Sequence, residues 1–73
     1  MGILKRERWW GYLNVDGIIN VMRYVDDKTI QNYEMLPMVK GIFDPFMAWG
    51  YEDAKKICLQ KYKEVLYHEK KMN

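Results

Sequence analysis

The sequence predicts a small α+β domain: a three-stranded antiparallel sheet, a short helix between its second and third strands, and a long C-terminal helix packed on one face, in the order ββαβα. Three observations carry that expectation. Tyr12 to Tyr24 reads as a hairpin, Val39 to Ala48 as a proline-interrupted third strand, and Tyr51 to about Lys70 carries an apolar stripe at helical spacing. Seventy-three residues make one domain. Its expected parts are an N-terminal arm over 1–7, a sheet region over 8–48 that contains a short helix at 27–35, and a helix over 51–70.

The hairpin turn is Asn14-Val15-Asp16-Gly17, and the side-chain pattern chooses its register. A two-residue Asp16-Gly17 turn would pair Asn14 with Ile19 and scatter polar groups over both faces. A three-residue loop of Val15-Asp16-Gly17, with Gly17 left-handed in a bulge, pairs Asn14 with Ile18 instead. This second register sorts Trp9, Gly11, Leu13, Ile19 and Val21 onto one face. Arg8, Trp10, Tyr12, Asn14, Ile18, Asn20, Met22 and Tyr24 fall on the other. A slip of one residue would exchange the faces, so the clean sorting selects the bulged turn.

Asp26 or Asp27 is placed to cap a helix across Lys28 to Met35, with Ile30 and Tyr33 facing inward. Leu36-Pro37 ends it, because the residue before proline avoids helical angles. In the third strand, Pro45 lacks a ladder donor, so that strand lies at an edge, is bulged, or is broken in two. Gly50 marks the next boundary. Ala54, Ile57, Cys58, Tyr62, Val65 and Leu66 then form the stripe of the last helix. Glu52 and Asp53 in its first turn and Lys70 and Lys71 at its end suit the helix dipole. About twenty residues give a helix about 30 Å long, enough to cross three strands.

Such a short chain hides only about 60% of its unfolded surface, so its core needs large side chains. Three Trp, six Tyr, two Phe and six Met supply them. The formal charge is +2: both ends are mildly basic, while residues 25–50 hold two basic and four acidic groups. That balance is far from the strong basic excess of a non-specific nucleic-acid binder. One cysteine, Cys58, excludes an internal disulfide and the paired Cys and His metal motifs. The apolar runs are too short for a membrane span. The expected location is the cytoplasm, or the host cytoplasm for a phage-encoded protein.

Residue chemistry argues against catalysis. His68 is the sole histidine and stands among Glu69, Lys70 and Lys71, with no group to orient it as a base. Cys58 lies on the apolar stripe, where a thiol acts as a small hydrophobe. Asp26-Asp27 and Glu52-Asp53 read as helix caps and first-turn acids, and no glycine-rich phosphate loop exists. No enzyme activity, cofactor or metal is expected. If the long helix covers the Trp9 face, an aromatic patch is left on the other, and Arg8, Trp10, Tyr12, Asn20, Met22, Arg23 and Tyr24 become the candidate partner-binding residues. Two alternatives stay open: the short helix or the N-terminal arm folds over that patch, or the two faces are reversed.

Trp10-Gly11-Tyr12, Val15-Asp16-Gly17, Val21, Arg23-Tyr24, Phe46, Ala48 and Glu52-Asp53-Ala54 together resemble a group of short proteins of bacteriophages and mobile elements. The topology is also similar to the arm-site DNA-binding domains of phage integrases, from which the acidic middle and the added short helix depart. The aromatic face suggests a stoichiometric module bound to a larger protein, and an accessory or inhibitor of the anti-defence, anti-CRISPR kind fits the first likeness, whose members have no settled function. The second implies nucleic acid on the sheet, with Lys5, Arg6, Arg8 and Arg23 meeting phosphates. Self-association or a place as a small structural subunit is the third expectation.

Overall fold

The computed structural model describes residues 5–72, with side chains through Lys63. The side chains of Val65, Leu66, His68, Lys70 and Lys71, and residues 1–4 of the predicted arm, lie outside the described residues. The elements run β1 (Glu7–Asn14), β2 (Ile19–Arg23), α1 (Asp27–Glu34), β3 (Val39–Ala48) and α2 (Tyr51–Met72). The expected ββαβα order is therefore the one observed. Glu7, assigned to the arm by sequence, opens the first strand.

β1 lies in the centre of an antiparallel sheet ordered β2-β1-β3. The β1–β2 register is the bulged one: Leu13 faces Ile19 and Trp10 faces Met22, and the Asn14 amide donates to the Ile18 carbonyl at 2.9 Å. Gly17 takes φ +88°, the left-handed conformation that this three-residue loop demands and that a side chain would strain. The Asp16 carboxylate accepts from the Ile18 amide at 3.2 Å and steadies the loop.

β3 is both an edge strand and a bulged one, and it is not broken. Its register against β1 shifts twice, between Trp9 and Gly11 and between Leu13 and Asn14. At the first shift Trp9 faces Phe46 and Gly11 faces Phe43, so three residue steps of β3 oppose two of β1. The extra residue has a packing consequence. Positions three apart on a regular strand point to opposite faces, yet here Phe43 and Phe46 both pack against the same core. Pro45 lies inside this bulge, at a position where a missing amide costs the ladder nothing.

That core is Trp9, Leu13, Ile19 and Val21 from the hairpin, Ala48 from β3, and Ala54 and Cys58 from α2. Ile57 and Tyr62 pack around its margin. The stripe read from sequence thus covers the Trp9 face. Small residues on α2 let the helix come close, and Gly11 lets the sheet receive it. A Cβ built on Gly11 would stand 2.7 Å from the Asn20 carbonyl oxygen and 3.0 Å from the Cys58 sulfur. One cost remains in this core: the Trp9 indole Nε1 is buried with no hydrogen-bond partner.

Gly11→Ala is expected to lower stability by about 1–3 kcal/mol, because the backbone oxygen it meets cannot swing aside. A urea titration that returns the wild-type midpoint would show that the β2 backbone at Asn20 and α2 at Cys58 both give way without cost.

Candidate functional site

The face opposite α2 is built in rows across the strands. The first is Asn20, Tyr12 and Ile42, and the second is Met22 and Trp10. The third is Tyr24, Arg8 and Met47; the Tyr24 amide donates to the Arg8 carbonyl at 2.9 Å, and Met47 pairs with Arg8 on β3.

α1 packs against β3 and covers Trp10 and Tyr12, the β1 members of the first two rows. Asp26 is its N-cap, accepting from the Thr29 amide at 2.8 Å and from the Thr29 hydroxyl at 2.7 Å. Those two bonds favour the ionised carboxylate and hold Asp26 below its ordinary pKa. Tyr33 then reaches the sheet. Its ring meets Trp10 edge-on with centroids 5.2 Å apart and Tyr12 at 5.1 Å, and Trp10 and Tyr12 lie 5.8 Å apart. These are favourable spacings for aromatic pairs. The Trp10 side chain is 1% exposed.

This corrects the sequence reading of the site. Trp10 is a core residue sealed beneath the middle helix, and Tyr12 is half-buried beside it. Neither is an open anchor on a bare sheet. Arg23 also leaves the predicted group. It pairs with Trp9 and so points to the α2 face, with its guanidinium 5.6 Å from the Trp9 ring and 3.3 Å from the Glu7 carboxylate. Asn20 and Met22 remain half-exposed on the β2 edge, and Arg8 and Tyr24 remain in the third row.

The third row lies past the end of α1, and around it gather Met47 and Trp49, which sequence reasoning did not select, and Arg6, which it named only for the nucleic-acid reading. Arg8 stacks over Tyr24 at 4.4 Å, and Arg6 lies 5.8 Å from the Trp49 ring. Trp49 is 56% exposed and Met47 49%. The Trp49 backbone amide donates to the Asp53 carboxylate at 2.9 Å, which ties the indole's base to the first turn of α2. The Tyr24 hydroxyl donates to Asp27 at 2.8 Å, and the neighbouring carboxylate raises the tyrosine pKa. A signal for Trp49 was present in the sequence: a large aromatic just ahead of a helix start and next to Gly50, outside both the strand alternation and the helical stripe.

The described residues hold no cluster of three His, Cys, Asp or Glu side chains that could bind a metal ion. None of the described helices is long and apolar enough to cross a membrane. Cys58 is fully buried, and loss of hydration around the thiolate pushes its pKa up to about 11.

Two outcomes follow. Trp10→Ala is expected to cost about 3–5 kcal/mol of stability, as for other buried tryptophans; an unchanged thermal melt would mean that α1 does not seal the ring. Cys58 is expected to resist iodoacetamide at pH 8 until the protein unfolds. Because its folded pKa exceeds the unfolded value, the folded state keeps a proton that the unfolded state loses. Stability should therefore be intact below about pH 9 and fall towards pH 11, by roughly 2–3 kcal/mol at full ionisation.

No family model, curated protein or solved structure matches this chain.

Proposed function

We propose that this chain is a non-catalytic protein-binding module that docks through the row Tyr24, Arg8 and Met47 together with Arg6 and Trp49. The observation that supports this reading most is Trp49, a half-exposed indole fixed at its backbone and flanked by arginine. Trp, Tyr, Arg and Met are the residue types enriched at the centres of protein interfaces.

Charge suggests the partner. Three acids at this end of the domain are engaged within it: Asp53 accepts from the Trp49 amide, Asp27 from the Tyr24 hydroxyl, and Glu7 pairs with Arg23, while Glu52 in the first turn of α2 is exposed. Arg6 and Arg8 rest on aromatic faces, and both are exposed. The row itself thus presents two arginines on aromatic rings, which suits an acidic patch on a larger protein. A stoichiometric inhibitor of the phage anti-defence kind is a form of this reading that fits the sequence resemblance.

A second reading has one observation behind it. An exposed indole beside arginines also suits a stacked base and its phosphate, so nucleic acid is the competing partner. The version in which bases stack on the sheet itself loses its surface, since α1 covers Trp10.

Isolation of the partner with tagged protein, followed by titration calorimetry, tests the proposal. Trp49→Ala is expected to weaken binding by about 2 kcal/mol or more, roughly thirtyfold, while the melting temperature stays within a degree or two. Arg8→Ala should mainly slow association and flatten its salt dependence. Unaltered affinity in both variants removes this surface from consideration. Tight binding of single-stranded DNA or RNA that collapses with added salt would favour the nucleic-acid reading.

A further inference from the structure

The two outer edges of the sheet are treated differently. β3 carries two register shifts, Pro45 and Lys40, devices that stop an edge strand from pairing with another chain. β2, Ile19–Arg23, is short but regular, with no proline or register shift, and its one charged side chain, Arg23, stands at its end. The hydrogen-bonded pairs of the hairpin fix which of its backbone groups are free. Asn14 bonds Ile18, and Tyr24 bonds Arg8, so the alternation of an antiparallel ladder turns Asn20 and Met22 towards β1. Ile19, Val21 and Arg23 then direct their N–H and C=O groups outward. Among the described residues, none of the turn, loop, cap or side-chain hydrogen bonds involves those groups.

We infer that the β2 edge is a self-association surface, whose occupant is the β2 strand of a second copy, antiparallel about a two-fold axis at Val21. The pattern matches itself under that operation. Val21 meets Val21 of the other copy as a hydrogen-bonded pair, and Ile19 meets Arg23 twice. All the outward groups are then in phase, making six backbone bonds and one six-stranded sheet. Charge is compatible, because Arg23 falls opposite an isoleucine and never opposite itself. The same register sets Ile18, 54% exposed in the single chain, beside the ring of Tyr24 across the axis. An extended peptide from an unrelated protein could use the same free groups, but it would lack this self-complementarity.

Sedimentation velocity over a range from micromolar to millimolar chain, with amide hydrogen exchange at both ends of the range, decides the matter. The expected result is a dimer at high concentration in which the Ile19, Val21 and Arg23 amides gain protection and the Asn20 and Met22 amides do not change. Arg23→Pro removes an outward donor without touching the β1–β2 ladder, and should weaken association tenfold or more at an unchanged fold. Ile18→Lys, at an exposed position, should weaken it as well and stands in if the proline variant is unstable. Trp49→Ala should dimerise like the wild type, which separates this edge from the docking row. The inference is overturned by a chain that stays monomeric at millimolar concentration, by a dimer whose three outward amides exchange as in the monomer, or by undiminished association in Arg23→Pro and Ile18→Lys.

Discussion

Two adjacent tryptophans, Trp9 and Trp10, stand on the central strand, and the pleat sends them to opposite faces of the sheet. This constraint governs the architecture. A sheet with a large indole on each side cannot leave either face in water, so a chain of 73 residues must supply two covers. The covers differ in kind. α2 lays small residues, Ala54 and Cys58, against Gly11 and the Trp9 face and closes it by near contact. α1 is eight residues long with no fully buried side chain, and it closes Trp10 with the rim of Tyr33. The first cover makes a core; the second is a lid held by a cap and aromatic edges. Local opening should be cheaper at α1 than at α2.

Much of this was legible in the residues. The choice between two hairpin registers needed only the sorting of polar and apolar side chains, and Gly17 in the left-handed region shows the turn that this sorting required. Pro45 announced a defect in an edge strand. What it could not announce was the use of that defect, which is to rotate Phe46 onto the same face as Phe43. A bulge position follows from how two strands match in three dimensions, and the local sequence of one strand does not encode it.

The covering of Trp10 was harder to read, for an instructive reason. Ile30 and Tyr33 were placed on the inner side of the short helix, but periodicity does not say what an inner side faces. With the Trp9 face already filled by α2, the Trp10 face was the remaining apolar surface, and two facts taken together pointed there. Of the docking row, Arg8 and Tyr24 were legible in the sequence, while Met47 and Trp49 were missed on similar grounds. Trp49 belongs to neither a strand alternation nor a helical stripe, and its meeting with Arg6 depends on the pairing of Glu7 with Ala48 across β1 and β3. Long-range pairings of that kind are the part of a fold that spacing along one chain does not carry.

Once both faces are covered, the surfaces that can meet another molecule are the ends and the edges of the sheet. The proposed row uses an end, and what distinguishes it from an accidental exposed ring is its preorganisation. Trp49 follows the last residue of β3, its amide is bound by Asp53, and α2 begins two residues later. Its backbone therefore has little freedom left to lose when a partner arrives. Arg8 is stacked on Tyr24, whose hydroxyl is in turn held by Asp27, so its guanidinium is also placed in advance. Ordering a flexible side chain on binding costs about 0.5–1.5 kcal/mol, and groups already positioned by the fold avoid part of that loss. Two of the acids near the arginines, Asp53 and Asp27, are the ones that fix the rings. A substitution at Asp53 or Asp27 would thus act twice, loosening an aromatic anchor and removing a negative charge beside it. Loss of preorganisation and gain of positive charge would then oppose each other in binding an acidic partner.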